Sequence, residues 1–236
     1  MGLFLNLSEP VGASCQSTFA LSFNNRIDMH KKVLFFALTL MMTGSLQVNA
    51  QHARQDSTYK KYFVGSTFLL LGNFIPNDRN PPHFIQLNVG YRITPKDVVF
   101  LELKRSRFAY PLGIPWGKSF DAPGENYPGH VRQNVIGLAY NRFWWKGLYT
   151  GVHAMNAFQR YYNEDNKKIA NGFTLFMTYR LGYQVKLFKN RFFIEPSVGL
   201  THWPVKTNTP QSFKEKESKW PDYFGFEPGL HFGFNF

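Results

Sequence analysis

Apolar and polar residues alternate one by one along much of the chain beyond residue 60. From Tyr223 to Phe236, every second position is Phe, Pro or Leu, and the positions between them are mostly small or polar. The segments 83–94 and 192–203 alternate in a similar way. A period of two puts successive side chains on opposite sides of an extended backbone. The pattern therefore predicts β-strands that have one apolar and one polar face.

Eight segments of the chain have this character, and together they predict an all-β fold. The predicted strands are Tyr62–Phe74, His83–Thr94, Asp97–Tyr110, Gln133–Trp144, Leu148–Tyr162, Gly172–Phe188, Phe192–Trp203 and Tyr223–Phe236. The alternation is weaker in the first and the fifth of these segments, so their two faces stay unassigned.

The connections between the predicted strands alternate strictly between short and long. Tight turns are predicted at 94–97, 145–147 and 189–190, and longer loops at 75–82, 111–132, 163–171 and 204–222. The two-residue turn at 189–190 also predicts a register for the strands that it joins. In that register Gln184 lies opposite Glu195, and Lys186 lies diagonal to Glu195, within reach of an ion pair.

This combination of strands and connections resembles the small outer-membrane β-barrels of Gram-negative bacteria. Such barrels have short periplasmic turns, longer external loops and both chain ends in the periplasm. The resemblance implies a closed, antiparallel, eight-stranded transmembrane up-and-down β-barrel over residues 61–236. It also implies that the aromatic end of the chain, with Phe232, Phe234 and Phe236, is the assembly signal that the barrel-assembly machinery recognises.

The first fifty residues predict export rather than a further domain. Residues 29–50 combine Met-His-Lys-Lys, a short apolar run and a Val-Asn-Ala site, which is typical of a secretory signal peptide. Because such a peptide begins a chain, residues 1–28 are interpreted as an upstream extension added by misannotation of the start, and an unusually long leader is the alternative. Residues 51–60 would then be a short periplasmic segment.

Composition decides which face of the strands lies inside. The chain has 25 Phe, yet it carries 27 Lys and Arg against 15 Asp and Glu, a formal net charge of +12. A lipocalin-like soluble barrel, with its apolar face inward, is the alternative. The polar face is rich in glycine, however, which suits a lumen where side chains have little room. These glycines are Gly90, Gly137, Gly182, Gly199, Gly225, Gly229 and Gly233.

Charged side chains on the polar face would therefore be buried in the lumen, where they must pair to be tolerated. The predicted lumen network is Glu102, Lys104, Arg180, Lys186, Glu195, Glu227 and His231. Acidic and basic members can neutralise each other, which predicts a plugged lumen and excludes a porin. A narrow channel remains a weaker hypothesis.

The sequence offers little catalytic chemistry. The histidines have no metal-ligand spacing, and no phosphate-binding loop or nucleophile elbow is present, so neither a metal nor a cofactor is expected. Barrel enzymes that deacylate lipid A use a His and a Ser near the outer end of a late strand, together with a Glu. His202, Ser197 and Glu195 are the weak candidates here, but Ser197 and Glu195 are predicted on the face opposite His202.

The predicted external loops are basic. Their cations are Arg132, Lys167, Lys168, Lys206, Lys214, Lys216 and Lys219. They could bind the phosphates of lipopolysaccharide, or they could form a solvated surface of mixed charge. The leading hypothesis is a monomeric, non-enzymatic outer-membrane barrel that supports the envelope or binds lipopolysaccharide or an external partner. A lipid A-modifying enzyme is the alternative, and nucleic-acid binding is not expected.

Overall fold

The computed structural model describes residues 60–74, 81–115 and 123–236. The predicted extension 1–28, the signal peptide 29–50 and nearly all of the segment 51–60 lie outside the described residues. The described part is all-β: one antiparallel sheet of nine strands forms a ring.

The strands follow one another around the ring in chain order. They are β1 (Tyr62–Thr67), β2 (Ile85–Arg92), β3 (Asp97–Phe108), β4 (His130–Trp145), β5 (Leu148–Tyr162), β6 (Lys168–Tyr183), β7 (Val185–Leu187), β8 (Phe192–Thr207) and β9 (Tyr223–Asn235). Only Gln184 separates β6 from β7, and both strands pair with β8. The two therefore follow the path of the predicted sixth strand.

Pairing between β1 and β9 closes the ring. Their register runs from Phe63 opposite Asn235 to Thr67 opposite His231. Beyond it, the N–H of Phe236 donates to the carbonyl of Tyr62 over 2.9 Å, and the N–H of Tyr62 donates to the carbonyl of Phe236 over 3.1 Å. The two ends of the barrel-like ring are thus joined by a backbone ladder.

The ring is polar inside and apolar outside. On β2, Ile85 is 65% exposed and Val89 is 48% exposed, whereas Gln86 and Asn88 are only 6% and 5% exposed. The alternation continues on β4 and β5, where buried and exposed positions follow each other residue by residue. The structure also assigns the fifth strand, whose odd-numbered residues from Tyr149 to Tyr161 face inward.

Aromatic residues close the interior at both ends, which the sequence pattern did not reveal. At the end with the tight turns, Phe63 and Phe193 pack in a cluster that also contains Phe100. Toward the end with the long loops, Trp203 packs against Phe176 in a second cluster. The polar interior therefore lies between two apolar layers.

The predicted first strand, Tyr62–Phe74, is wrong in its second half. The strand ends at Thr67, and Phe68–Phe74 form a 3-10 helix. The hydroxyl of Thr67 accepts the N–H of Leu69 over 3.3 Å and donates to the carbonyl of Leu230 over 3.0 Å. Because this side chain satisfies a local backbone donor, the chain leaves the extended conformation there.

The last strand contains an irregularity that the uninterrupted alternation did not predict. Its register with β8 shifts between Gly199 and Thr201, and Phe226 has a φ of 54°. An extra residue of this kind is a β-bulge, which reverses the faces beyond it. Phe224, predicted on the apolar outer face, instead packs against the cluster around Trp203 inside the ring.

The end of the ring with the long loops is more ordered than the sequence predicts. β4 begins at His130, β6 begins at Lys168 and β8 extends to Thr207, so three strands reach into predicted loops. An α-helix, α1 (Gln211–Glu217), lies within the predicted loop 204–222. At this end of the ring, α1 contacts the strand ends and residues 123–129, and together we call them the outer platform, where outer means only the end with the long loops.

The tight turn at 189–190 sets the register that the sequence predicts. Lys186 is paired with Phe193 and Val185 with Ile194, which continues to Gln184 opposite Glu195. The amide of Gln184 donates to Glu195 over 2.6 Å. Lys186, expected beside Glu195 in the lumen, has an exposed side chain.

Candidate functional site

The interior network is centred on Glu102, whose side chain is 1% exposed. One carboxylate oxygen lies 3.6 Å from the Nζ of Lys104, and the other lies 3.2 Å from the Nδ1 of His153. The first oxygen also accepts a hydrogen bond from Gln86 over 3.5 Å. A buried carboxylate requires such compensation, because burial without a partner costs several kcal/mol, on the order of a whole domain's stability margin.

A second ion pair joins β6 to β9 across β8. Arg180 donates to Glu227 over 2.9 Å and to the hydroxyl of Ser197 over 3.0 Å. The other oxygen of Glu227 accepts a hydrogen bond from Thr201 over 2.6 Å. These contacts connect Arg180 of β6 and Glu227 of β9 across β8, so they tie the three strands together as well as neutralise charge.

A chain of neutral and charged groups continues toward the tight turns. Gln184 donates to Glu195 and accepts from Arg92 over 3.4 Å. Arg92 also donates to Asn235 over 3.1 Å. Arg92 and Gln184 were absent from the predicted lumen network, although the alternation on their strands puts both on its polar face. His153 was missed because the faces of the fifth strand were unassigned.

Among the described residues, the middle of the interior holds no space for a substrate, whereas a pocket of about 550 Å³ opens at the end with the tight turns beside Arg92 and Gln184. A cavity of about 20 Å³ lies among the network residues, which include Glu102, Arg180, Glu195 and His231. A second cavity of about 20 Å³ lies under the outer platform. Each has room for roughly one water molecule. The network residues, except Lys186, are therefore packed together as a plug.

The three weak catalytic candidates do not meet. His202 faces outward and stacks on Tyr179 with 5.7 Å between ring centroids. Ser197 lies inside the ring, bonded to Arg180 and to the carbonyl of Gly229. Glu195 lies inside as well, bonded to Gln184. A nucleophile and its base must lie within hydrogen-bond reach of each other, so this set cannot act as one.

The outer platform is anchored by one fully buried side chain. Phe213 of α1 is 0% exposed and lies between two tyrosine rings, 4.6 Å from that of Tyr127 and 5.1 Å from that of Tyr161. The hydroxyl of Tyr127 donates to Glu217 over 2.7 Å. Burial and the charge of Glu217 raise the pKa of Tyr127, so it stays a hydrogen-bond donor.

Several predicted loop cations are used within the platform. Lys206 forms an ion pair with Glu217 at 2.6 Å, and Lys219 forms one with Glu125 at 3.1 Å. Lys216 donates to the carbonyl of Gly124 over 2.7 Å. Their charges are thus partly engaged by the protein. Of the other predicted loop cations, the exposed ones are Lys167, Lys168, Lys214 and Arg132.

Arg132 lies on the outward face of β4 rather than in a loop. Its Nε donates to the Nε2 of His130 over 3.1 Å, and its guanidinium lies 4.6 Å from the ring centroid of Tyr162. The rings of His130 and Tyr162 stack, with 4.9 Å between their centroids. The arginine is therefore held in one orientation beside the outer platform.

The comparisons give no relative from which to transfer a role. No family model, curated protein or solved structure matches the chain. Among the described residues, no helix is both long and apolar enough to cross a membrane. Nor does any group of His, Cys, Asp and Glu side chains in the described ranges have the arrangement of a metal site.

Proposed function

We propose that the chain is an integral outer-membrane protein, exported by its signal peptide, whose ring crosses the membrane as a closed eight-stranded β-barrel. In this proposal β6 and β7 act as one membrane-crossing strand. The tight turns lie in the periplasm, and the outer platform lies at the cell surface.

The observation that carries the proposal is the apolar outer face. Leu101 is paired with Leu138, and Leu103 is paired with Ile136, across β3 and β4. All four side chains are between 38% and 65% exposed. Further exposed apolar side chains on other strands are Ile85, Leu87, Val89, Phe158, Leu181, Val198, Leu200 and Leu230. A soluble protein rarely exposes apolar surface on this scale, whereas lipid would cover it.

We propose further that the protein is not an enzyme and that it supports the envelope or binds lipopolysaccharide. The packed polar interior supports a structural role for the buried charges. The exposed cations at the outer end, among them Lys168 and Arg132, support contact with phosphate groups at that level.

The two alternatives have less support. A lipid A-modifying enzyme would need His202 to share a face with Ser197 or Glu195, and these residues lie on opposite sides of the sheet. A channel would need a continuous path, and the cavity among the network residues has a volume of only about 20 Å³.

Two measurements test the proposal. The protein should require detergent for extraction and should migrate differently on gels before and after boiling, as folded barrels resist the detergent of the gel. A monodisperse protein that is soluble without detergent would contradict the membrane location. Mass spectrometry of lipid A from cells with and without the protein should show identical acylation. An acylation change that is lost in the variant His202→Ala would instead establish the enzyme.

A further inference from the structure

Three arginines form a row across neighbouring strands on the outside of the ring. Arg107 of β3 is paired with Arg132 of β4, and Arg132 is paired with Arg160 of β5. Arg105 lies one outward position further from the platform on β3. We call Arg107, Arg132 and Arg160 the arginine row. Strands lie about 4.8 Å apart, so the row spans roughly 10 Å.

The arginine row has no acidic partner in the part of the chain that the structure describes. The described ion pairs involve other cations. The Nε of Arg107 is buried and has no hydrogen-bond partner. Glu164 and Asp165, the acids nearest to Arg160 along the chain, lie exposed in the turn beyond the strand end. Like charges directly opposite each other destabilise a sheet, so an external anion would stabilise this one.

The opposite end of the same strands shows a different arrangement. There Arg142 of β4 also faces outward, and it is paired with Asp97 of β3, with 2.7 Å between NH1 and the carboxylate. Tyr140 donates to the same carboxylate over 2.7 Å. An arginine on this face is thus neutralised by the protein at one end and left without an acid at the other.

The middle of the row is already oriented for a ligand. Because the Nε of Arg132 donates to His130 and its guanidinium lies over Tyr162, its rotamer is restrained. Its two terminal nitrogens remain available as donors. The Nε2 of His130 accepts this hydrogen bond, so this ring nitrogen carries no proton and the histidine adds no positive charge beside the row. Restrained guanidinium groups suit phosphate, which they can bind with two parallel hydrogen bonds.

The outer surface becomes apolar from the row toward the middle of the ring. The adjacent outward positions toward the ring's middle are Arg105, Asn134 and Phe158, and the next include Leu103 paired with Ile136. Phe158 is 53% exposed and Ile136 is 51% exposed. A ligand that contacts both the arginine row and this apolar surface has anionic groups toward the platform and hydrocarbon toward the middle of the ring. That is the chemistry of a lipid with a charged head group.

We propose that Arg107, Arg132 and Arg160 bind the phosphate groups of a phosphorylated lipid that lies against the outside of the ring. This inference rests on the proposed membrane location and specifies the lipid-binding surface within it. The lipid contacts the outer face of β3 to β5, and the lysines of α1 are not its main ligands. A row of this width can engage more than one phosphate.

The test uses the full-length exported protein, folded in detergent micelles, with bisphosphorylated lipid A as the probe. Native mass spectrometry gives the fraction of protein with bound lipid across a titration. The main variant combines Arg107→Gln, Arg132→Gln and Arg160→Gln. The matched control is Arg142→Gln, which removes an arginine from the same face at the opposite end. Retained heat-modifiable migration shows that each variant is folded.

We expect each lost arginine to weaken binding about tenfold, so the triple variant should lose about a thousandfold. The control variant should bind within about twofold of the natural protein. The single variants Arg107→Gln and Arg160→Gln repeat the test if the triple variant folds poorly. Equal binding by the natural protein and the arginine-row variants would overturn the inference.

Two further probes distinguish the source of the phosphate. Lipid A whose phosphates have been removed should bind as weakly as the natural form binds to the triple variant. Inorganic phosphate should displace the lipid only at a large excess, because it lacks the hydrocarbon part. Equal affinity for the dephosphorylated lipid, or stronger binding of free phosphate, would overturn a lipid-phosphate site.

Failure of the inference and failure of the membrane location give different results. If the protein requires detergent and is heat-modifiable, but binds lipid A equally well with and without its phosphates, the arginine-row site is overturned and the membrane location is not. A protein that is soluble and monodisperse without detergent would overturn both.

Discussion

At the scale of single residues, glycine determines which large side chains fit inside the ring. A Cβ built on Gly90 would overlap the ring of Phe63, and one built on Gly182 would overlap the ring of Tyr149. Glycine on one strand therefore makes room for an aromatic side chain of the next. The glycine-rich polar face was a correct indication of crowding, but the sequence did not say which side chains fill the space.

The sharpest prediction at this scale concerns Gly229. A Cβ there would overlap the guanidinium of Arg180 and would lie 2.6 Å from the Oγ of Ser197. The substitution Gly229→Ala should therefore displace Arg180 from Glu227. Disturbing such a buried pair should lower the free energy of unfolding by about 2 to 4 kcal/mol. Urea unfolding of the protein in detergent or bilayers, followed by gel migration, measures the loss.

The control for this variant lies on the same strand. A Cβ on Gly225 would have no atom within 4 Å among the described residues. Gly225→Ala should therefore change the free energy of unfolding by less than about 0.5 kcal/mol, as surface substitutions usually do. Equal stability of the two alanine variants would mean that the Arg180–Glu227 pair contributes little.

At the scale of elements, the central parts of the strands were predictable and their ends were not. The strand Asp97–Phe108 starts where the alternation predicts, and Leu148–Tyr162 matches at both ends. Alternation of apolar and polar residues identifies strands that have one face in a polar environment and the other in an apolar one. It fails at Phe68–Phe74, an apolar run without a period, and at Phe226, where a positive φ reverses the faces.

The helix α1 was missed for a related physical reason. It is seven residues long and carries one buried side chain, Phe213, so it has too few apolar positions to show a helical period. Its stability comes from packing against the tyrosines of the platform rather than from its own sequence.

Removing that single anchor should release the helix without opening the ring. In the variant Phe213→Ala, the loss of buried contacts should lower the local free energy of opening by a few kcal/mol, roughly the cost of a buried Phe→Ala change. Trypsin should then cleave at Lys214 and Lys216 at least about tenfold faster. The rate of cleavage by limited proteolysis measures this, with gel migration as the check on the ring.

The exposed residue Gln211 offers the matched control on the same helix. Gln211→Ala should leave the cleavage rate within about twofold, because no buried contact is lost. If Phe213→Ala is cleaved no faster than Gln211→Ala, the platform is held by its ion pairs, such as Lys206 with Glu217, and not by the buried ring.

At the scale of the whole molecule, the sequence predicted the all-β architecture, and the candidate site only in part. Most of the predicted lumen residues lie together because alternation alone assigns them to one face. Lys186 is the exception: it lies opposite Phe193 at the end with the tight turns, where its side chain is exposed. The arginine row could not be read from single strands, because it exists only in the register among three of them.

The inverted distribution of polar and apolar residues gives a prediction for the assembled protein in a bilayer. Leu138 lies midway along β4 on the outer face and is 65% exposed. The substitution Leu138→Arg should cost about 2 to 4 kcal/mol if this face meets the middle of a membrane. In a water-soluble ring the same change would cost almost nothing. Unfolding by denaturant in lipid vesicles measures the difference.

The depth dependence of this cost provides the control. Ile169, near the start of β6, is 46% exposed at the outer end of the ring. Ile169→Arg should cost only about 0 to 1 kcal/mol, since an interfacial arginine reaches water and head groups. Similar costs at the two positions would contradict a hydrocarbon layer around the middle of the ring.

The short first strand sets the order in which the strands can separate. β1 has six residues and pairs with β9 from Tyr62–Phe236 to Thr67–His231, whereas β4 and β5 remain paired from His130–Tyr162 to Trp145–Leu148. Separating β1 from β9 therefore breaks fewer backbone hydrogen bonds than separating β4 from β5. The closing contacts also join distant parts of the chain, such as Thr67 and Leu230, which are 163 residues apart. A pulling force or rising temperature will therefore separate β1 from β9 early. A newly made chain will form this pairing last, after the hairpins from β2 to β8 have brought the two strands together.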